Sequence, residues 1–94
     1  MSGTRSLRIR LTGRVQGVAF RDWMQSEARS LGLTGWVRNC RDGSVEAVIS
    51  GDPALVDDML ARCRQGPPAA RVTDLAILAE ESGTFADFEI RPTA

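Results

Sequence analysis

The sequence of 94 residues contains no histidine, no lysine and no tyrosine, so every one of its twelve basic residues is an arginine. Without histidine the chain cannot form a Ser-His-Asp or Cys-His nucleophile pair or an ordinary zinc site. Without lysine it has no Schiff-base residue and no Walker-type phosphate loop. Any catalysis must therefore use arginine, carboxylates, amides and backbone N–H groups, which favours electrostatic catalysis over covalent or acid–base chemistry.

Signals for membranes, secretion and large charged partners are also absent. No apolar run approaches the ~18 residues of a membrane span, and the N-terminus lacks the apolar core of a signal peptide. The two cysteines, Cys40 and Cys63, are expected to be reduced packing residues because nothing marks the chain as secreted. Twelve acidic residues balance the twelve basic ones and leave no overall field for nucleic acid or an anionic membrane. These absences predict a cytoplasmic protein with no nucleic-acid partner and no membrane partner.

The charges are nevertheless distributed unevenly along the chain. Residues 1–41 contain eight arginines and two carboxylates, a net charge of +6, and residues 42–94 carry the compensating −6. Positive potential concentrated in the first half of a neutral chain suits a small anion better than a polyanion.

Hydrophobic periodicity predicts a single domain over residues 1–94, in which residues 1–6 are expected to be flexible. Strands are predicted at residues 7–11, 34–40, 44–50 and 72–79, with a short last strand around Phe88. One helix is predicted over residues 20–31, and a second begins at Pro53 and is ended by Gly66. Residues 13–19 are predicted to be a loop, and Asp42-Gly43 is a hairpin signal. This order predicts an α+β fold, a ferredoxin-like (βαββαβ) two-layer sandwich with two helices on one face of a mainly antiparallel sheet.

The segment from Gly13 to Arg21, GRVQGVAFR, lies between a predicted strand and the first turn of a predicted helix. Glycines allow successive backbone N–H groups to point into one hollow and form an anion nest. The start of a helix adds further unpaired N–H groups and the positive end of the helix dipole. Arg21 adds a planar guanidinium suited to two phosphate oxygens at once. Together these features predict a phosphate site.

Two separated motifs resemble those of the acylphosphatase family. GRVQGVAFR looks like the first signature of the family, and GWVRN, which ends at Asn39 and is followed by Asp42-Gly43, looks like the second. The similarity continues over nearly the whole chain, through Leu31-Gly32-Leu33, the GSVEAV segment and the Gly66-Pro67 stop.

The resemblance implies an enzyme that hydrolyses acyl phosphates to a carboxylate and inorganic phosphate on a ferredoxin-like fold, with no metal and no other cofactor. It implies that Arg21 binds the phosphoryl group and that Asn39 orients the attacking water. The residues it implies for the phosphate-binding loop are Val15, Gln16, Gly17, Val18, Ala19 and Phe20. The implied partners are a small acyl phosphate as substrate and inorganic phosphate as product and inhibitor, and we expect a monomer.

The same residues also fit other roles. Arg21 could be a surface arginine, although the helix dipole disfavours a cation at that end by ~0.3–1 kcal/mol. Asn39 could simply cap the neighbouring hairpin. Gln16 and Arg14 are expected to have solvent-facing side chains, and neither is given a catalytic role. Trp23 and Trp36 occur at core spacing and are expected to be packing residues.

Two other classes of function remain as alternatives. The domain could be a binding module for an anion or carbamoyl phosphate within a larger enzyme, although such fusions carry zinc-finger and transferase regions downstream. It could also be an RNA-binding sheet, which would need exposed aromatic residues on its central strands. The predicted third strand, residues 44–50, contains no aromatic residue.

Overall fold

A computed structural model of the chain describes residues 3–94. The elements in chain order are β1 (Arg5–Arg14), α1 (Phe20–Ser30), β2 (Thr34–Asn39), β3 (Val45–Gly51), α2 (Pro53–Gln65), β4 (Arg71–Glu80) and β5 (Phe88–Ile90). The five strands form one sheet in the order β4-β1-β3-β2-β5. All neighbouring strands are antiparallel except β2 and β5, which are parallel. The predicted ferredoxin-like architecture is confirmed.

The hydrophobic core lies between the helices and one face of the sheet. On β1, Leu7, Ile9 and Leu11 are fully buried, and the residues that alternate with them point to the opposite face of the sheet. The helices contribute apolar side chains at helical spacing, namely Phe20, Met24 and Ala28 from α1 and Val56, Met59, Leu60 and Cys63 from α2. Burial raises the pKa of the Cys63 thiol to about 12, as expected for a packing cysteine.

Strand β1 is longer at both ends than the sequence pattern predicted. Arg5 and Ser6 pair with Gly51 and Ser50 of β3, and the two serine hydroxyls lie 2.6 Å apart. Arg5 and Ser6, which belong to the segment of residues 1–6 predicted to be flexible, are thus strand residues, while Met1 and Ser2 lie outside the described residues. Backbone pairing between adjacent strands is what orders the segment, and apolar alternation alone does not reveal it.

At its other end β1 includes Gly13 and Arg14, which the sequence assigned to a loop. Both pair with β4 after a register shift between Thr12 and Gly13. Gly13 has φ of 114°, and a Cβ atom at this position would lie 2.3 Å from the backbone oxygen of Arg71. The shift leaves Thr73 as one extra residue in β4, so the bulge belongs to β4, and Gly13 lies opposite it where the β4 backbone approaches too closely for any side chain.

The face of the sheet away from the helices is covered by arginines. Trp36 of β2 is only 3% exposed there, although no helix covers it. The guanidinium carbons of Arg38 and Arg91 each lie 4.8 Å from the centre of its ring, and that of Arg8 lies 5.3 Å from it. Trp36 is thus a packing residue, as predicted, and it offers no exposed aromatic surface for a nucleobase.

No helix within residues 3–94 is both long enough and apolar enough to cross a membrane.

Candidate active site

A small cavity of about 90 Å³ lies where the loop after β1, the start of α1 and the end of β2 meet. It is lined by Val15, Gln16, Gly17, Ala19, Phe20, Arg21, Asp22 and Asn39. The fold therefore brings together all but one of the residues that the sequence assigned to the site. The exception is Val18, which does not line the cavity. The side chains of Val15, Val18 and Phe20 all belong to the hydrophobic core.

The wall of the cavity formed by α1 is a helix start without a side-chain cap. Ala19, the N-cap residue, has a left-handed backbone with φ of 61° and accepts no N–H group through its side chain. The first hydrogen bond of the helix runs from Trp23 N to Ala19 O over 3.0 Å. The N–H groups of Phe20, Arg21 and Asp22 therefore have no acceptor within the helix, which makes this end a site for an anion.

The side chain of Arg21 is partly buried at this cavity. Within residues 3–94 it forms no ion pair, whereas Arg29 pairs with Asp87 at 2.8 Å and Arg38 pairs with Glu46 at 2.6 Å. A cation at the positive end of a helix has an unfavourable position unless an anion also binds there. The guanidinium of Arg21 is thus available to an anionic ligand.

Asn39 also lines the cavity and is the last residue of β2. It occupies the same face of the sheet as the fully buried Val37, which directs its side chain towards the cavity and not towards the arginine-covered face. Its backbone pairs with Val45 on one side, and its carbonyl accepts the N–H of Ala94 at 3.0 Å on the other. The backbone of Asn39 is therefore held between two neighbouring segments.

The turn that joins β2 to β3 is held by its own hydrogen bonds. Cys40 N donates to Ser44 O at 2.8 Å, and Gly43 N donates to Cys40 O at 3.0 Å. The carboxylate of Asp42 accepts the hydroxyl and the N–H of Ser44 at 2.6 and 2.9 Å. These two hydrogen bonds hold the pKa of the Asp42 carboxyl below its usual range. The predicted hairpin at Asp42-Gly43 is confirmed.

Gln16 connects the loop after β1 to this turn, contrary to the expectation of a solvent-facing side chain. Its Nε2 lies 2.8 Å from the carbonyl oxygen of Cys40 and 2.8 Å from that of Ser44. Both partners are acceptors, so the atom facing them is the amide nitrogen and each of its hydrogens is used. The sequence carried no local signal for these contacts, because the partners lie 24 and 28 residues further along the chain.

A larger open groove of about 410 Å³ lies between the two helices, where Trp23, Glu27 and Arg62 contribute to its lining. The two charged side chains are already directed at each other, with an Arg62–Glu27 separation of 3.5 Å. The smaller cavity is the better candidate despite its size, because it combines free N–H groups, an arginine and an amide side chain.

The model of the acylphosphatase family matches residues 7–90 of the chain. The chain belongs to the acylphosphatase family. Among curated relatives, an acylphosphatase from Acidiphilium cryptum is 58% identical over 65 residues, which cover 69% of this chain and 71% of the relative. An acylphosphatase from Thermococcus kodakarensis is 51% identical over 82 residues, which cover 87% of this chain and 90% of the relative. The crystal structure of acylphosphatase from Bacillus subtilis matches with a TM-score of 0.86 at 34% identity, over 95% of this chain and 99% of that one.

Membership of the acylphosphatase family confirms the predicted enzyme class, the hydrolysis of acyl phosphates. Among residues 3–94, no three Cys, Asp or Glu side chains come together in a way that could hold a metal ion. Cys40, next to Asn39, and Cys63 are both free thiols.

Proposed function

We propose that this acylphosphatase binds the phosphoryl group of its substrate at the open start of α1 and delivers water from the side of Asn39. One observation carries the proposal: the unpaired N–H groups of α1 and Arg21 line the same 90 Å³ cavity as Asn39. A cavity of this size suits a phosphoryl group better than a whole substrate. The acyl part of the substrate therefore extends out of the cavity.

Phosphoryl binding is assigned to the loop and to Arg21. The backbone N–H groups from Val15 to Phe20 supply donors at fixed positions, and the guanidinium supplies two parallel donors and a full positive charge. A loose phosphoryl-transfer transition state spreads negative charge over the equatorial oxygens, and donors already in position stabilise that charge without reorganisation. The positive end of the α1 dipole acts in the same direction.

Asn39 is assigned to the attacking water. A carboxamide can accept one hydrogen of a water molecule through Oδ1 and donate through Nδ2, so it can orient water although its lack of a useful pKa prevents it from acting as a general base. Positioning alone can contribute a large part of the rate of such a reaction. The proton released by the water passes to an oxygen of the phosphoryl group itself.

Cleavage of the bond between phosphorus and the acyl oxygen requires few further catalytic groups. Water oxygen forms a bond to phosphorus, the bond from phosphorus to the acyl oxygen breaks, and the carboxylate leaves with the electron pair. Carboxylate is a good leaving group, so no strong general acid is needed. A phosphate monoester would have to expel an alkoxide, and the cavity has no histidine or lysine to protonate it. We therefore propose selectivity for acyl phosphates over monoesters.

The reaction proposed here uses no metal and no other cofactor. Its partners are a small acyl phosphate and inorganic phosphate, which binds as the product and inhibits competitively because the cavity recognises the phosphoryl group common to both. A monomeric state, a cytoplasmic location and the absence of nucleic-acid and membrane partners stay predictions from the sequence.

The test is phosphate release from benzoyl phosphate by the purified chain in the presence of excess chelator. We expect full hydrolysis without added metal, competitive inhibition by inorganic phosphate, and turnover of a phosphate monoester that is slower by several orders of magnitude. Loss of activity in chelator that returns when a divalent cation is added back would contradict the metal-free mechanism. Equal turnover of the monoester would contradict the proposed role of the leaving group.

A further inference from the structure

The two walls of the cavity come from parts of the chain that no strand pairing joins directly. The loop of residues 15–19 follows β1, and Asn39 ends β2, which is separated from β1 in the sheet by β3. The distance between bound phosphoryl group and water therefore depends on how this loop is fixed against the β2–β3 turn. The side chain that spans this gap is Gln16, through hydrogen bonds of 2.8 Å to Cys40 O and to Ser44 O.

We propose that Gln16 is a positioning residue whose side chain sets the location of Asn39 relative to the phosphate-binding loop. The proposal rests on the function proposed above for Arg21 and Asn39. Cys40 directly follows Asn39, and Ser44 directly precedes Val45, the strand partner of Asn39. By binding both carbonyls, one amide group holds the two ends of the turn that carries Asn39.

The hydrogen-bond geometry leaves the side chain of Gln16 little capacity to bind phosphate itself. Its NH2 group has two hydrogens, and two carbonyl oxygens already accept them. The remaining amide oxygen is an acceptor and would repel a phosphoryl oxygen. The backbone N–H of Gln16 therefore remains the donor for the phosphoryl group, and every substitution except proline retains it. The side chain of Gln16 acts on the water by positioning Asn39.

The carbonyl oxygens of Cys40 and Ser44 in the β2–β3 turn each accept two hydrogen bonds. Cys40 O accepts Gln16 Nε2 and Gly43 N, and Ser44 O accepts Gln16 Nε2 and Cys40 N. Two donors occupy the two lone pairs of each oxygen, which fixes the direction of both carbonyls. Removal of Gln16 Nε2 leaves each carbonyl with a single partner, so the turn keeps its own hydrogen bonds but loses its connection to the loop.

Gln16→Met is the substitution that isolates this role, because methionine has a similar length and no donor. We expect kcat for benzoyl phosphate to fall about 10- to 100-fold, in line with the cost of misplacing a reacting group by about 1 Å. The inhibition constant of inorganic phosphate should change by less than about threefold, since the backbone donors and Arg21 remain. Gln16→Glu, which directs a carboxylate oxygen at the two carbonyls, should lose at least as much turnover.

Gln25→Met is the matched control. Gln25 Nε2 donates to Phe88 O at 2.9 Å and joins α1 to β5, so its loss removes the same kind of hydrogen bond away from the cavity. We expect this variant to retain wild-type kcat, while its unfolding free energy falls by less than that of Gln16→Met because one hydrogen bond is lost instead of two. A similar loss of turnover in both variants would mean that Gln16 is merely structural and would overturn the proposal.

A double-mutant cycle tests whether Gln16 acts through Asn39. In an Asn39→Ala background, Gln16→Met should cost less than about twofold in residual turnover, because the water is no longer held by the residue that Gln16 positions. Independent losses that multiply would overturn the proposal, as would wild-type kcat in Gln16→Met. Both results leave the proposed function intact, whereas failure of the wild-type chain to hydrolyse benzoyl phosphate would reject the proposed function and, with it, this role of Gln16.

Discussion

Helix α2 begins with a side-chain cap, and helix α1 begins without one. At α2, Asp52 accepts the N–H of Ala54 at 2.9 Å and Pro53 in the first turn has no N–H to satisfy. At α1, Ala19 offers no acceptor and the backbone has a left-handed φ of 61°. The Asp52 side chain thus occupies one donor at the start of α2, while the start of α1 keeps its three N–H groups free beside a cavity.

The two helix starts also differ in the side chains that lie near them. Arg21 and Asn39 converge on the start of α1, whereas within residues 3–94 no arginine side chain hydrogen-bonds or ion-pairs with Asp52, the cap of α2. A cap at α1 would stabilise the helix by about 1 kcal/mol but would occupy the donors that an anion needs. The helix start that we propose as the phosphoryl site therefore lacks a stabilising cap, which the other helix start has.

The largest effect is expected from Arg21→Ala. Loss of a charge-assisted, bidentate partner should weaken transition-state binding by about 3–5 kcal/mol and should also weaken phosphate binding, because the phosphoryl group is present in both states. Arg21→Lys should restore little, since a point charge does not reproduce the planar fork. Values of kcat/KM for benzoyl phosphate and inhibition constants for phosphate measure both effects.

Two controls accompany the Arg21 variants. The unfolding free energy of Arg21→Ala should stay the same or rise by up to about 1 kcal/mol, because a cation leaves the positive end of a helix dipole. Arg14→Ala removes an exposed arginine at the end of β1 and should lower kcat/KM by less than about threefold. If Arg14→Ala lost as much as Arg21→Ala, general positive charge and not a placed guanidinium would account for binding.

A smaller and more selective effect is expected from Asn39→Ala. Turnover should fall by about 10²-fold or more, while phosphate should bind with near-normal affinity because Asn39 acts on the water. The measurement pairs kcat with a phosphate dissociation constant on the same folded preparation. Loss of phosphate affinity as severe as that of Arg21→Ala would disprove the division of roles, and wild-type turnover would make Asn39 only a turn residue.

The smallest effect is expected at the capped helix. Asp52→Ala should lower the unfolding free energy by about 1 kcal/mol, because it removes the acceptor for Ala54 N, and it should leave kcat/KM unchanged. Asp52→Asn is the matched control and should restore most of the stability, since asparagine caps a helix about as well as aspartate. Denaturant unfolding together with the benzoyl phosphate assay checks both variants. A clear loss of activity in Asp52→Ala would show that the two helix starts are not independent.

The sequence was most informative where the relevant pattern is local. Periodicity and turn residues predicted the fold, and the motifs around Arg21 and Asn39 predicted both walls of the cavity. The errors arose where distant segments decide the outcome. Gly13 belongs to a strand because β4 lies against it, and the side chain of Gln16 reaches a turn 24 residues away. Such contacts follow from strand order and register, which a single sequence does not encode in any local signal.

Val18 illustrates a different limit of the motif. The resemblance treats the loop as one binding unit, but Val18 is 8% exposed and its side chain packs in the core. Its backbone is part of the loop, and its buried side chain holds the loop against the core. The motif thus contains both residues that line the cavity and a residue that does not, and only the fold distinguishes them.

The most direct test of the account is a titration of the 15N-labelled chain with inorganic phosphate, followed by backbone amide NMR shifts. We expect saturable shifts that are largest for residues 17–22, at the open start of α1, with no comparable shift at Ala54 in the capped start of α2. The same titration of Arg21→Ala should require a much higher phosphate concentration. Equal shifts at both helix starts, or a binding site centred elsewhere, would contradict the claim that α1 is left uncapped to bind the phosphoryl group.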